Sequence, residues 1–554
     1  MCLERAVHSV GFRSMVCSAC GAEAALGARF CASCGQSLLI LDDERRVVTV
    51  LFADIVGFTT LSEHLDPELV KNLVDRCFNR LAQDVTAFGG RVDKIIGDAM
   101  VALFGAPVAH EDDAERAVRA ALRMQETVCA EVEAIGHDVE IRIAVNTGEV
   151  LVGAMGAAGS VTAMGDVVNT ASRLQEAAGA GEVVVGPATY AATHRTIAYE
   201  ARGLIAAKGR GEPVETWRAI SPVLPPGYRA RREGVHLVGR DHEMGILQHA
   251  VQTSITHQRA LLVLLLGDVG LGKSRLSDEV ASRAAADHRA VVREGRCVPY
   301  GEANVWWPVA DALRGALGLE EGDDRERSLE TLRQQVATTL AAGQDEADPA
   351  EVERTAEGLL AMMGYDPLVE GDAAAVRHHA ARALSTYSEA TARRRPLVLQ
   401  ISDLHFADDV VLHLIDDVFE RIHHLPVVVL VTARSILLER WNPRPGRHNS
   451  LVFHLDPLDL EGTGQLLEAL SGGPVAEEVT AAFHDRSGGN PFYVEELVAL
   501  LDGPDAPSAP SRLTRAAAFP EALPDTLRGL VAARLDDLAP SVRSVLQDAA
   551  VLGS

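Results

Sequence analysis

The chain has 554 residues, 47% hydrophobic and 23% charged, in the range of ordinary globular proteins. At about 150 residues per domain this length predicts three to four domains, each able to bury a core. The net charge of −26 and the aromatic content of 4% argue against nucleic acid or an anionic membrane surface as the main partner.

Membrane and export signals are the next features to consider. No apolar run reaches the roughly 18 residues that would span a bilayer. The first residues, which we treat as an N-terminal extension over 1–14, lack the apolar core of a signal peptide. The sequence therefore predicts a cytoplasmic protein with no membrane partner.

Four cysteines form the first motif, as two C-x2-C pairs that are each followed by glycine. In a reducing compartment such thiolates favour a metal ion over a disulfide, and four of them close a tetrahedral, structural Zn2+ site. The alternative is a redox-active or partly oxidised tail. The segment 15–40 resembles the short zinc ribbons of bacterial multidomain signalling proteins. Its predicted ligands are Cys17, Cys20, Cys31 and Cys34.

Strand and helix signals alternate over residues 42–220 and predict an α+β domain. The β-branched run VVTVLFADIV indicates a strand, and a helical stretch follows from Pro67 to Phe88. The segment 89–105 reads as a β-hairpin with Gly97 and Asp98 at its turn.

Two aspartates and a helix carry the chemistry of this region. Asp54 ends an apolar strand, and Asp98 at the hairpin tip would bring a second carboxylate beside it. Two carboxylates that hold two Mg2+ or Mn2+ ions suit displacement at phosphorus. Asn169 and Arg173 are four positions apart and share a helix face, from which an arginine can stabilise phosphate charge.

The segments 52–62, 92–105 and 161–174 together resemble the class III nucleotidyl cyclases, whose catalytic domain has a ferredoxin-like fold. By this resemblance Asp54 and Asp98 bind the metal ions, Asn169 orients the ribose and Arg173 stabilises the transition state. The remaining positions implied to bind substrate are Lys94 and Thr162 for the purine, and Arg142 and Lys208 for the triphosphate.

The purine-reading pair predicts ATP as the substrate. A lysine donor at Lys94 suits adenine N1, and the hydroxyl of Thr162 can accept from the exocyclic amine. Guanylate cyclases of the family carry Glu and a small residue at these positions. The Thr-type pair resembles the subgroup of bicarbonate-responsive soluble cyclases, so a bicarbonate effector is a further hypothesis. Since all the catalytic positions occur in one chain, a symmetric homodimer with two sites is expected.

A second nucleotide motif follows a linker over residues 221–236. The sequence 267–274 fits G-x4-G-K-S between a strand and a helix, which is the context of a P-loop. Backbone amides around Gly267, Gly270 and Gly272 would cradle ATP phosphates, with Lys273 on the β/γ oxygens and Ser274 on Mg2+. The apolar runs at 397–401 and 427–431 predict a buried parallel sheet.

The segments 237–244, 397–409 and 488–497 resemble AAA-like signal-transduction ATPases. This predicts a P-loop domain over 237–450, followed at 451–554 by a helical lid and the start of a winged-helix region. The chain stops directly after a helical run, so we expect that this region is truncated.

The Walker B strand departs from the pattern of that family. Ser402 stands where the first of two acids is usual, Asp403 remains, and Phe406 replaces a tryptophan. We therefore expect ATP binding and leave hydrolysis open. Arg434 is either a γ-phosphate sensor or an ordinary charge at a strand end.

Taken together, these motifs predict a multidomain adenylate cyclase whose P-loop module regulates it. Two alternatives stay open. One is a nucleotide-switched signalling or transcriptional regulator with a weak or inactive cyclase domain. The other is a guanylate cyclase, which Lys94 disfavours.

Overall fold

In a computed structural model, residues 15–16, 23–24, 44–56, 67–135, 139–155, 160–205, 213–224, 226, 236–298, 300, 305–319, 324–341, 347–365, 373–443 and 449–501 are described, with isolated positions between 528 and 550. The chain divides into two compact units. Unit 1 comprises Met1–Ala230 and Leu523–Ser554, and unit 2 comprises Arg231–Ala522. Because Leu523–Ser554 belongs to unit 1, the grouping by contacts differs from the sequence-based grouping of 451–554 with the P-loop module.

Unit 1 is built on an eight-stranded sheet, in the order β4-β5-β3-β6-β8-β10-β9 with β7 paired to β6. Most pairs are antiparallel, and β6 pairs with β8 in parallel. A separate pair, β1 (Met15–Val16) and β2 (Glu23–Ala24), precedes it. The strands of the large sheet are β3 (Glu44–Val56), β4 (Arg91–Ile96), β5 (Ala99–Phe104), β6 (Glu140–Met155), β7 (Ser160–Met164), β8 (Val183–Val185), β9 (Ile197–Ile205) and β10 (Val214–Pro222).

Helices cover this sheet on both faces. They are α1 (Pro67–Ala87), α2 (Asp113–Ile135), α3 (Asp166–Ala177) and α4 (Pro187–Thr193). On β3, Val48 and Val50 are buried against α3. Thr49 lies on the other face, where its hydroxyl bonds to Thr147, which in turn bonds to Thr189 of α4. The alternation of β3 therefore builds two cores, one on each side of the central strand.

The predicted hairpin is confirmed. Strands β4 and β5 pair antiparallel, and the turn between them is formed by Gly97 and Asp98. Gly97 has φ of +65°, a conformation that glycine adopts without strain. The turn places Asp98 at the sheet end where β3 finishes.

Unit 2 contains a five-stranded parallel sheet in the order β12-β13-β14-β11-β15. Its strands are β11 (Leu261–Leu266), β12 (Val291–Arg296), β13 (Leu397–Ser402), β14 (Val427–Ala433) and β15 (Ser450–His454). Strands β11 and β14 are buried along their whole length, which explains their continuous apolar sequences. The predicted parallel sheet is thus confirmed.

The helices of unit 2 flank this sheet and then continue the chain beyond it. They are α5 (Asp241–His257), α6 (Lys273–His288), α7 (Trp307–Leu317), α8 (Arg325–Leu340), α9 (Pro349–Met362), α10 (Ala373–Arg394), α11 (Asp409–Ile422), α12 (Leu437–Arg440), α13 (Leu460–Ser471), α14 (Glu477–Ser487) and α15 (Pro491–Leu501). A single 3-10 turn, Leu404–Phe406, follows β13. The last three helices are where a helical lid was predicted.

Two sequence-based predictions fall largely or wholly outside the described residues. All four cysteines of the predicted zinc ribbon lie outside them. The winged-helix start falls where only isolated helical positions are described, and it stays a prediction. Among the helices that are described, none combines the length and the apolar character needed to cross a bilayer.

Two candidate nucleotide sites

Asp54 is buried near the C-terminal end of the central strand β3, at 8% exposure. Its Oδ2 atom accepts from Nε of Arg142 at 2.8 Å and from Nη2 at 2.6 Å. The amide of Gln175 on α3 donates to the same oxygen at 3.0 Å. Three donors thus converge on Oδ2 and fix the carboxylate in place.

Asp98 is brought to the same place by the backbone. Ala99 is the register partner of Asp54 in the β3/β5 ladder, and the amide of Ile55 donates to the carbonyl of Asp98 at 3.1 Å. The sheet therefore places the two aspartates predicted to bind metal at adjacent positions.

This pair fits a Mg2+ or Mn2+ ion that is bound partly by its substrate. No group of three or more His, Cys, Asp or Glu residues that could hold a metal occurs in the described ranges. Magnesium in phosphoryl-transfer sites is typically held by only one or two carboxylates together with substrate phosphates. All three donors to Asp54 use Oδ2, so Oδ1 is the atom that would bind such an ion, and Asp98 is the predicted second ligand.

Helix α3 carries the predicted catalytic residues on the face away from Asp54. Its buried residues include Thr170, Leu174 and Gln175, and Gln175 reaches Asp54. Asn169 is exposed and Arg173 is half-buried. Since Arg173 and Gln175 are separated by about 200° around the helix, Arg173 points away from the carboxylate of its own chain.

The other predicted substrate contacts are only partly described. Lys94 is an exposed residue of β4, and its Nζ lies 3.5 Å from Asp93 Oδ2. Thr162 lies in β7, where only the backbone is described, and Lys208 lies outside the described residues. Arg142, predicted to bind triphosphate, is the ion-pair partner of Asp54. Gln175 is not predicted as a site residue from the sequence, because its place on the buried face of α3 becomes visible only in the structure.

The second site lies between β11 and α6, where the P-loop was predicted. Gly270 and Gly272 have φ of +84° and +87°, which other residues rarely adopt. Lys273 is buried and its Nζ donates to the carbonyl of Asp268 at 2.7 Å. This loop has the curled backbone that presents amides to phosphate.

A segment far along the chain of unit 2 closes over this loop. Asn490 donates to the carbonyl of Val269 at 2.9 Å, and the amide of Phe492 donates to the carbonyl of Gly270 at 3.2 Å. A Cβ at Gly270 would lie 2.5 Å from Asn490 Oδ1, so only glycine fits there. The motif at 488–497 is visible in the sequence, whereas its contact with the P-loop is not.

The acid of the Walker B strand is paired with an arginine. Asp403 Oδ2 accepts from Arg296 Nη1 at 2.9 Å, and Asp403 has a left-handed φ of +57°. Ser402 is fully buried, and within the described part of the chain its Oγ has no hydrogen-bond partner. One ionisable acid with a guanidinium partner therefore stands where two acids are usual.

His405 follows closely and is held neutral by its surroundings. Burial, together with the positive charges of Arg434 and Lys273, lowers its pKa to about 4, and the negative charge of Asp403 opposes this shift. Its Nδ1 accepts from the amide of Arg434 at 3.4 Å. Arg434 is the predicted γ-phosphate sensor. It contacts His405, and the charge of Lys273 also acts on that histidine, so Arg434 lies near the P-loop lysine.

Comparison with known proteins agrees with this division into two sites. Residues 42–219 match the family model of the adenylate and guanylate cyclase catalytic domain, and residues 236–430 match that of the AAA ATPase domain. Each model covers about a third of the chain.

Individual relatives are similar over one or both regions. An uncharacterised protein of Rhizobium meliloti (strain 1021) is 28% identical over 82% of this chain and 44% of its own length. Adenylate cyclase 1 of the same organism is 33% identical over 32% of this chain and 28% of its own length. The chain therefore spans less than half the length of these two curated relatives.

Among solved structures, the adenylyl cyclase CyaB from P. aeruginosa is 32% identical. The match covers 35% of this chain and all of that one, with a TM-score of 0.32. The description of the matched family model includes both purine specificities, so the comparisons leave the base open. Residues 42–219 are thus similar to the adenylate and guanylate cyclase catalytic domain, and residues 236–430 are similar to the AAA ATPase domain.

Proposed function

We propose that this protein is an adenylate cyclase, which converts ATP to 3′,5′-cyclic AMP and pyrophosphate, and that its AAA domain binds ATP and regulates it. The observation that carries the proposal is the burial of Asp54 at the end of β3, with Asp98 at the adjacent backbone position. Such a pair, inside a matched cyclase domain, is suited to an ATP complex with Mg2+ or Mn2+.

The reaction joins the ribose 3′-oxygen to the α-phosphorus and breaks the bond to pyrophosphate. A divalent ion held by Asp54 and Asp98 would acidify the 3′-hydroxyl and balance the charge of the leaving group. Asn169 would hold the ribose so that the 3′-oxygen is in line with the bond that breaks. Arg173 would donate to the phosphate oxygens as negative charge develops on them.

The geometry of α3 supports a homodimer as the active form. Gln175 packs under the helix onto Asp54, while Asn169 is exposed on the other side. Arg173 therefore acts on a nucleotide held by the aspartates of a second copy. Ile95 and Ile96, which are 49% and 58% exposed beside Lys94, give that copy an apolar surface to cover.

Selectivity for ATP is proposed from the purine-reading pair. The exposed ammonium group of Lys94 can donate to adenine N1, whereas guanine carries a proton there. Bicarbonate stimulation rests on the resemblance of the Lys94 and Thr162 pair alone. It is checked by measuring the activity of the purified enzyme with and without bicarbonate at fixed pH.

The features of the AAA domain favour nucleotide binding, but they do not favour fast hydrolysis. Its P-loop backbone and buried Lys273 are in place. Asp403, however, is paired with Arg296, and the first acid is replaced by Ser402. We propose that this module binds MgATP and turns it over slowly, so that occupancy is a long-lived signal.

The test uses the full chain with Mn2+ and either ATP or GTP, scored for cyclic nucleotide. We expect cyclic AMP from ATP and a fall of roughly 100-fold or more in kcat for Arg173→Ala. The matched control is Arg123→Ala, because Arg123 is an exposed arginine on α2 paired with Glu126.

Three outcomes would contradict the proposal in different ways. Turnover of ATP that survives Arg173→Ala would place the site elsewhere. Cyclic GMP as the main product would favour the guanylate cyclase. No cyclic product from either nucleotide would favour a nucleotide-switched regulator whose cyclase domain is inactive.

A further inference from the structure

The cyclase-containing unit is built from two separate parts of the chain. Leu523–Ser554 belongs to unit 1, although the chain reaches it only after passing through unit 2. Unit 2 is consequently joined to unit 1 at both of its ends.

A buried ion pair holds this C-terminal segment to the cyclase core. The two Nη atoms of Arg46 lie 2.8 and 2.9 Å from the carboxylate oxygens of Asp536, and the two side chains are only 2% and 5% exposed. The amide of Ala109 donates to Asp536 at 2.9 Å, and Arg46 also donates to the carbonyl of Pro107 at 3.0 Å. Arg543 of the same segment donates to Asp536 as well.

A buried ion pair of this kind is strongly destabilised when either partner is removed. A carboxylate and a guanidinium that are buried together compensate each other, and removing one leaves the other as a buried charge. A second pair at the rim, Arg528 with Glu149 at 3.1 Å, is more than a third exposed on each side and contributes little by comparison. Asp536 is thus the group on which docking depends.

The contact with Asp536 is made by β3, the strand that also carries Asp54 and on which α3 packs. Arg46 and Asp54 are eight positions apart on β3, so they share a face and lie about 26 Å apart. Helix α3 has 12 residues, so it is about 18 Å long and bridges most of this distance. At its N-terminus Gly165 lies against Val150, the register partner of Arg46, and near its C-terminus Gln175 bonds to Asp54.

We propose that the surface formed by Arg46, Pro107 and Ala109 is the docking site for the chain's own C-terminal segment, and that through this contact nucleotide bound at the P-loop controls the cyclase. The regulatory half of the inference rests on the proposed function. Docking of Asp536 fixes the start of β3 and the neighbouring N-terminus of α3. Since Asn169 and Arg173 lie on that helix, their placement depends on the docked segment.

If the C-terminal segment transmits the nucleotide state of unit 2, then nucleotide binding and docking of the segment affect each other. A nucleotide that favours one form of unit 2 changes how firmly the segment docks, and loss of docking changes the nucleotide affinity by the same factor. The amide of Ala109 reports docking directly, because its proton is held by Asp536.

The test measures hydrogen exchange at the Ala109 amide in the full chain. We expect Asp536→Asn to speed its exchange at least tenfold, and Glu149→Gln, at the exposed rim, to leave it within twofold. Asp536→Glu, which keeps the charge, should restore much of the protection. If Asp536→Asn exchanges like the unchanged protein, the docking site is wrong, and circular dichroism identifies a variant that has unfolded.

The coupling is tested in saturating MgATP with Lys273→Ala, which removes the P-loop lysine but leaves the cyclase residues intact. We expect exchange at Ala109 to change at least threefold in this variant, and we expect Lys273→Ala to have no effect on that exchange when Asp536→Asn is already present. Equal exchange with and without Lys273 would overturn the coupling. This readout needs no cyclic product, so its failure is distinct from a failure of the cyclase assay.

Discussion

Arg142 and Asp54 form a two-pronged ion pair in which Nε and Nη2 reach the same carboxylate oxygen, at 2.8 and 2.6 Å. The two residues are register partners across β3 and β6, so the sheet itself fixes their approach. A divalent ion at this carboxylate would supply the same compensating charge as the guanidinium. Arg142 and the metal therefore stabilise the same buried group.

The first prediction concerns Arg142→Ala, which removes two charge-assisted hydrogen bonds from a buried carboxylate. In chelator we expect the free energy of unfolding of unit 1 to fall by about 2 kcal/mol. Added Mn2+ should raise the thermal midpoint more in this variant than in the unchanged protein, because the ion replaces the lost charge. Thermal unfolding with chelator and with Mn2+ measures both effects.

The matched control for this prediction is the double variant Asp54→Asn with Arg142→Ala, which has no carboxylate to compensate. It should show little response to Mn2+. Equal Mn2+ shifts in the single variant and the unchanged protein would mean that Asp54 does not bind the ion.

The second prediction concerns the purine. Lys94→Glu combined with Thr162→Cys should move the preference from ATP toward GTP, because a glutamate accepts from guanine N1–H and its amino group. We expect the ratio of kcat/KM for ATP and GTP to change by about 100-fold, which corresponds to two such hydrogen bonds. Arg123→Glu, on the exposed side of α2, is the charge-matched control.

Rates of cyclic AMP and cyclic GMP formation at several substrate concentrations provide the measurement. A double variant that loses most of its activity but keeps its preference for ATP would show that these two positions support the fold of β4 and β7 and do not read the base.

The sequence predicted those parts of the fold that local patterns determine. The continuous apolar runs of β11 and β14 identified buried parallel strands, and the glycine before Asp98 identified the hairpin. Both are local features, because burial on two faces and a left-handed turn each impose a residue type at a fixed position. The glycines of the P-loop are of the same kind.

Pairings between distant residues could not be predicted in this way. Gln175 contacts Asp54 across 121 positions, and Asp536 contacts Arg46 across 490. An acid or an amide on a helix has the same local sequence pattern whether it is solvated or buried against a partner. Only the packing of α3 and of the C-terminal segment on the sheet distinguishes the two cases.

The third prediction concerns the acid that is missing from the Walker B strand. Ser402→Asp places a carboxylate next to Asp403, where the pairing of Asp403 with Arg296 leaves Mg2+ and the attacking water with little support. We expect phosphate release from ATP to rise about tenfold. The assay is made with Arg173→Ala present, so that the cyclase site contributes little turnover, and phosphate is measured rather than pyrophosphate.

Ser402→Asn, which has the size of aspartate but no charge, is the matched control for that variant and should not raise hydrolysis. The rise should also require Lys273. An unchanged rate in a folded Ser402→Asp variant would show that the acid is not what limits turnover at this site.

The last prediction concerns acid stability and follows from His405, whose pKa is lowered to about 4 by burial and by Arg434 and Lys273. Its ordinary value is 6.5, so below that pH the unfolded chain takes up a proton that the folded chain does not. The stabilising contribution of neutral His405 is complete above pH 6.5 and is lost progressively as the pH falls toward 4. The slope from this one group is at most about 1.4 kcal/mol per pH unit.

Urea unfolding, followed by tryptophan fluorescence, tests this between pH 7 and pH 4. Three of the four tryptophans, Trp306, Trp307 and Trp441, are in unit 2, so the signal reports mainly on the unit that contains His405. His405→Gln carries no titrating group and should lose less stability over this range than the unchanged protein. His413→Gln, at an exposed position of α11, should behave like the unchanged protein. If the free energy of unfolding fell in parallel with pH in the two variants, His405 would take up its proton in the folded chain. Its ring would then have to contact solvent or an acidic side chain in the folded unit.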